Sequence, residues 1–288
     1  MKLWYILFII TPLFAQNQPQ TAIYLFDITI ENDSLSFENG RNISNNAGYN
    51  NQPSFYNNDT LVYARNLKNQ NDIAVYDIVK DSTFYLNAMT QGSEYSPTRI
   101  PNTEDVAAVR LDIDGKQQLY RYSKKDSTRV LSTEKVGYFD FYSEERILAA
   151  VVNPSGMNLY FMNTQTKKDS LIITNVGRGI KKIPSSNYMS YSLIGETGDL
   201  DLYLMDVEED LNSYFVCTLP IGIQDYTWLT KTKLILGSRN QLFIYDTLGE
   251  PKWIKVADLE IDNMQHITRL AVSPDGKKIA VVAQQAGI

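Results

Sequence analysis

Short apolar runs, each about five residues long and closed by a small polar residue, recur along this chain. They are Ile23-Tyr-Leu-Phe-Asp27, Ile73-Ala-Val-Tyr-Asp77, Leu119-Tyr-Arg-Tyr-Ser123, Leu159-Tyr-Phe-Met-Asn163, Leu202-Tyr-Leu-Met-Asp206 and Leu242-Phe-Ile-Tyr-Asp246. Successive closing residues are 50, 46, 40, 43 and 40 positions apart. The runs are rich in aromatic and β-branched residues and too short for helices, so they read as strands. A closing Asp, Asn or Ser suits the turn that follows, because its side chain bonds nearby backbone amides.

Other strands keep fixed places around these runs. After most of them comes a polar turn and another strand: Thr83–Leu86, Thr128–Leu131, Ser170–Ile173, Ser213–Thr218 and Trp253–Ala257. Before them comes a pair, as in Gln52–Tyr56 with Thr60–Ala64, or Thr98–Ile100 with Val106–Arg110. The pair recurs as Tyr138–Tyr142 with Arg146–Val152, Ile180–Ile183 with Tyr188–Tyr191, Asp225–Trp228 with Lys233–Leu236, and Ile267–Val272 with Lys278–Val282. Four strands per repeat, with no helical stretch between, predict an all-β six-bladed propeller with four antiparallel strands per blade. Two packed β-sandwiches leave the six matching runs unexplained. The chain starts on a third-strand run and ends on a first and second strand. The last blade is therefore expected to close with the N-terminal strands, Ile23–Ile28 and about Ser34–Asn42, which removes both open sheet edges.

Residues 1–15 fall outside this pattern. One cation (Lys2), an apolar core from Leu3 to Phe14, a breaking Pro12 and a small Ala15 predict a secretory signal peptide. The stretch is shorter than the ~18–20 residues of a membrane span, although an uncleaved anchor is the other reading. Residues 16–288 are then one propeller domain, exported to the periplasm or medium, monomeric and without a membrane span. Cleavage removes Lys2 and takes the net charge from −6 to −7.

The stretch Ser273-Pro-Asp-Gly-Lys-Lys-Ile-Ala-Val281 resembles the S-P-D-G-K-x-I-A-F signature of TolB-type, WD-like propeller repeats, and Gly48-Tyr-Asn-Asn-Gln-Pro-Ser-Phe55 resembles the residues just before it. Pro sets φ, Asp bonds back to the backbone and Gly frees the last position of a tight turn. Elsewhere the motif has decayed to turn-like segments such as Ile100-Pro-Asn-Thr103 and Ile183-Pro-Ser-Ser-Asn187. The resemblance implies blades rather than chemistry, and leans toward a periplasmic home. Thr21 already begins a strand, so the α/β domain that precedes the TolB propeller is expected to be absent.

Composition narrows the chemistry. Of 288 residues, 43% are apolar and 21% charged, with one Cys and one His. These exclude a disulfide framework, Cys-rich metal sites and histidine-pair metal motifs, so neither metal nor cofactor is expected. A pI near 5.0 lacks the basic footprint of a nucleic-acid binder. Cys217 sits in a strand-like run as a buried thiol, and His266 is placed in a partly exposed loop. Neither a G-x-S-x-G elbow nor a sialidase-type Asp box is present. Asp112 and Asp114 read as a hairpin turn or the start of a calcium loop, and Glu208-Glu209-Asp210 as a solvated loop or a metal site. Arg178 with Lys181-Lys182 reads as an anion site or as surface charge.

The innermost strands offer the better candidates. Aligning the copies on Phe55, Ile100, Phe141, Ile183, Trp228 and Val272 gives a column expected to pack between blades. Period-two alternation sends Arg99, Asp140 and Lys182, and two residues earlier Asp225 and Arg269, toward the central channel. Channel mouths collect loops from every blade. A non-catalytic exported binding or scaffold module that takes a protein, peptide or glycan is therefore expected, with these five residues as candidate contacts. A lactonase-like or glycan-cleaving propeller with its site at the channel mouth is the alternative.

Overall fold

The computed structural model describes residues 19–31, 34–68, 70–87, 90–123, 127–261 and 263–285. The expected leader, residues 1–15, lies outside the described residues. Strands β1 (Thr21–Glu31) and β2 (Ser34–Asn42) open the chain but belong to its last sheet. Blade I is β3 (Asn50–Asn57), β4 (Thr60–Leu67), β5 (Gln70–Asp77) and β6 (Ser82–Tyr85). Blade II is β7 (Gly92–Arg99), β8 (Val106–Asp112), β9 (Gln117–Ser123) and β10 (Ser127–Ser132). Blade III is β11 (Val136–Phe141), β12 (Arg146–Asn153), β13 (Gly156–Asn163) and β14 (Lys168–Ile173). Blade IV is β15 (Val176–Lys182), β16 (Tyr188–Ile194), β17 (Leu200–Asp206) and β18 (Ser213–Thr218). Blade V is β19 (Thr227–Trp228), β20 (Lys233–Ser238), β21 (Gln241–Asp246) and β22 (Ile254–Asp258). Blade VI orders its strands β2-β1-β24-β23, with β23 at Met264–Val272 and β24 at Lys278–Gln285.

The six-bladed architecture and its closure are as the repeat predicts. β1 pairs antiparallel with β24 in the register Ile23↔Val282 to Asp27↔Lys278. A separate apolar cluster fills each junction between blades. β1 serves two of them through its alternation. Ala22, Tyr24, Phe26 and Ile28 face blade V, while Ile23 and Leu25 face blade I. The Ser273–Gly276 motif is the turn between β23 and β24. The Ser273 hydroxyl donates to Asp275 at 2.6 Å, and Gly276 takes a φ of 70°.

Three strand expectations need correction. β7 begins at Gly92, not Thr98, because its buried positions are Gly92, Glu94 and Pro97, which give no apolar signal. β19 is only Thr227–Trp228, since the backbone before it is irregular and the Asp225 carboxylate bonds to the next blade instead. His266 lies within β23, not in a loop, at an exposed position inside the register shift between Met264 and Ile267.

Candidate functional site

Innermost strands β3, β7, β11, β15 and β23 all carry a register shift against their neighbours. An extra residue at such a point re-aims the side chains beyond it. Together these strands wall a channel of about 690 Å³ that opens beside the turns after the inner strands, at Pro101, Asn102, Pro184, Ser185 and Pro274. A smaller cavity of about 110 Å³ adjoins it, and Arg178, Asp225, Arg269 and Leu270 line both.

All five candidates, Arg99, Asp140, Lys182, Asp225 and Arg269, stand in this wall, but their polar groups are used differently. Arg99 donates from Nε to the Thr103 carbonyl at 3.0 Å and from Nη1 to that of Tyr56 at 2.9 Å, and its guanidinium covers the Tyr56 ring. Lys182 donates to the carbonyls of Ser186 and Tyr188 and lies over the Tyr142 ring, with burial pushing its ammonium down. These two cations bind the mouth's own turns together.

The carboxylates link neighbouring blades. Asp140 accepts the amide of Phe141 and, from blade IV, that of Lys182, each at 2.8 Å. Burial pushes its carboxyl up, against those bonds and the nearby lysines. Asp225 accepts the Leu270 amide of blade VI at 3.2 Å. Gln52 makes the same link from blade I to blade II, accepting the Ser96 amide at 2.8 Å. A side-chain oxygen thus reaches the adjoining inner strand at alternate junctions, and only two of those oxygens carry charge.

Deeper in the channel the picture is cationic and aromatic. Arg178, at the start of β15, donates from Nε to the Gln224 carbonyl at 3.3 Å and from Nη2 to that of Thr268 at 3.2 Å. Burial, and the Arg269 guanidinium beside it, lower its pKa, while Tyr138 supports the charge. Arg269 faces the Tyr138 ring at 5.6 Å. Half-buried Tyr49, outside the channel lining, has its hydroxyl pushed up to about 12 by desolvation, with Arg269 opposing. In all, the channel wall holds Arg99, Arg178, Lys181, Lys182 and Arg269 against Asp140 and Asp225, in a chain of net negative charge.

Arg178, which the sequence offers with Lys181-Lys182 as an anion site or as surface charge, stands in the channel wall. Carrying the alternation from Lys182 past Ile180 one step further reaches it, so the signal was present. The hairpin reading of Asp112 and Asp114 matches the turn between β8 and β9, where each carboxylate pairs locally with Arg110 or Lys116. Glu208 pairs with Arg146 at 2.7 Å. Among the described residues no group of three or more His, Cys, Asp or Glu side chains is placed to share a metal ion.

No protein-family model and no curated protein sequence matches the chain. Solved structures do. The fold is similar to that of a putative TolB from Agrobacterium tumefaciens, with a TM-score of 0.70 at 12% identity over 94% of this chain and 100% of that one. TolB from Acinetobacter baumannii gives 0.61 at 7% identity, over 93% of this chain and 64% of that one. An oligogalacturonate lyase in complex with manganese gives 0.57 at 11%, over 94% and 99%. The chain shares the six-bladed propeller fold of these structures.

Proposed function

We propose that this propeller is an exported binding module that takes a protein, peptide or glycan at its channel mouth and does not transform it. The observation that carries this reading is the state of the channel's carboxylates. Both already accept backbone amides that join blades, so among the described residues the channel's two carboxylates are engaged in holding the ring together. The nucleophile inventory agrees. The Cys217 thiol is buried and pushed up to about 12 by that burial. His266 is exposed and lies outside the residues that line the channel. Export is supported by the composition of residues 1–15, and an intact mass beginning at Gln16 would test it.

A second reading is a glycan-cleaving enzyme in the same channel. Its support is the shared fold with a lyase whose structure holds manganese. The donor set here does not fit a manganese centre, so no step through that metal is derived. One experiment separates the readings: peptide and glycan arrays probed with the full chain, followed by mass spectrometry of every retained ligand after prolonged incubation. Ligands recovered at their starting mass support a binding module. Conversion of any of them to a shorter or unsaturated product, at a rate proportional to protein, overturns it.

A further inference from the structure

We infer that Arg178 and Arg269, with Tyr138 between them, form an oxyanion-binding site at the base of the channel, taking the carboxylate or phosphate of a ligand that enters from the mouth. The inference rests on the channel's being the binding place, and adds the chemical class of what it holds.

Arg269 is the central observation. Its guanidinium is half-buried in the channel wall, and its contact with the protein is the face of the Tyr138 ring. It forms no hydrogen bond or ion pair with any described residue, which leaves its fork of N–H donors open to the cavity. Arg178 is different and complementary. Two backbone carbonyls from blades V and VI fix its orientation, yet it too lacks an ion pair. The nearest channel carboxylate, Asp225, spends Oδ2 on the Leu270 amide.

Bringing two guanidiniums together out of bulk water is unfavourable without a counter-charge; burial first, and the Arg269 charge second, lower the pKa of Arg178. An oxyanion relieves the repulsion, because guanidinium forks match a pair of oxygens on a carboxylate or a phosphate. The site lies four residues from the end of β15, roughly 13 Å below the mouth at strand rise. An extended chain carrying the anion therefore threads past the rim before reaching it.

The test uses isothermal titration of the full chain with three probes: a pentaglutamate peptide, a neutral pentaglutamine peptide and inorganic phosphate. Arg269→Gln is the variant of choice, since the wild-type side chain holds no protein group by a hydrogen bond. Lys181→Gln controls for diffuse channel charge. Pentaglutamate or phosphate is expected to bind, pentaglutamine not, and Arg269→Gln to weaken binding at least tenfold where Lys181→Gln weakens it less than threefold. Which probe binds tells a carboxylate ligand from a phosphate one. Equal binding by Arg269→Gln and wild type, equal binding of pentaglutamine, or no binding of either anion overturns the site. If array ligands still bind the channel in that event, the binding-module reading stands without its anion.

Discussion

Glu94→Gln tests how blades I and II are held together. Glu94 on β7 is 2% exposed and Asp72 on β5 is 5% exposed, and their carboxyls meet across the junction. Thr90 and, at 3.2 Å, the Tyr122 hydroxyl donate to Glu94, while Gln70 donates to Asp72 Oδ1 at 2.8 Å. Asp72 Oδ2 has no partner among these groups, and a proton on Glu94 supplies one. Burial, with the Asp72 charge adding to it against Thr90, Tyr122 and Arg110, pushes Glu94 from 4.5 up to about 7. The folded chain therefore holds a proton that the unfolded chain releases between those values. Stability from this group is complete below pH 4.5, falls as pH rises toward 7, and is flat above. At about 1.4 kcal/mol per pH unit the loss approaches about 3 kcal/mol, and Asp72, raised by burial too, acts with the same sign. Gln carries a permanent donor and no charge. Urea unfolding followed by tryptophan fluorescence should show Glu94→Gln about 2–3 kcal/mol more stable than wild type at pH 8 and nearly equal at pH 4.5. A difference that does not vary with pH would refute the buried proton.

Deleting residues 19–42 removes β1 from its place beside β24. Ile23, Tyr24, Leu25, Phe26 and Ile28 are all buried, and at ~1.5–3 kcal/mol each their loss rivals the ~5–15 kcal/mol of a whole domain. Gel filtration and circular dichroism should find the product aggregated or unfolded, whereas a monomer with an unchanged melting curve contradicts the closure. Gly237→Ala drives a Cβ into Ile267 Cγ2 between blades V and VI. Overpacking of that kind costs ~1–3 kcal/mol in a denaturation midpoint, and a neutral result would show that the junction has slack. Cys217 should react with a thiol reagent only as fast as the chain unfolds, because burial raises its pKa to about 12. Immediate stoichiometric labelling of the native protein would contradict its burial.

The blades were legible because their second strands are buried on both faces and so read as apolar runs, as at Leu61–Ala64 and Ile147–Val151. Inner strands were less so. β7 buries Glu94 and bends at Ser96, with a positive φ of 51°, so neither its composition nor its period marks where it begins. The channel column counts back from each turn in steps of two, which places Asp225 and Arg269 in it, and one more step reaches Arg178, which beside Lys181-Lys182 reads equally as surface charge. The Asp72–Glu94 pair left no trace at all. Its two halves lie on different blades, and nothing local to either residue distinguishes a buried carboxyl from a solvated one.

The pairing of β1 with β24 also orders events in time. Within blades I to V every hydrogen-bonded neighbour is the next strand along the chain, so each of those sheets can form as soon as its own residues are available. Ile23 and Val282 are partners across nearly the whole sequence, and closing a loop of roughly 260 residues costs about 5 kcal/mol in chain entropy before any contact repays it. β1 must therefore wait, paired with β2 alone, for β24. Refolding should show early local phases and one late, slow phase that reports the β1–β24 junction, with the edges of both strands open to misassembly until it is complete.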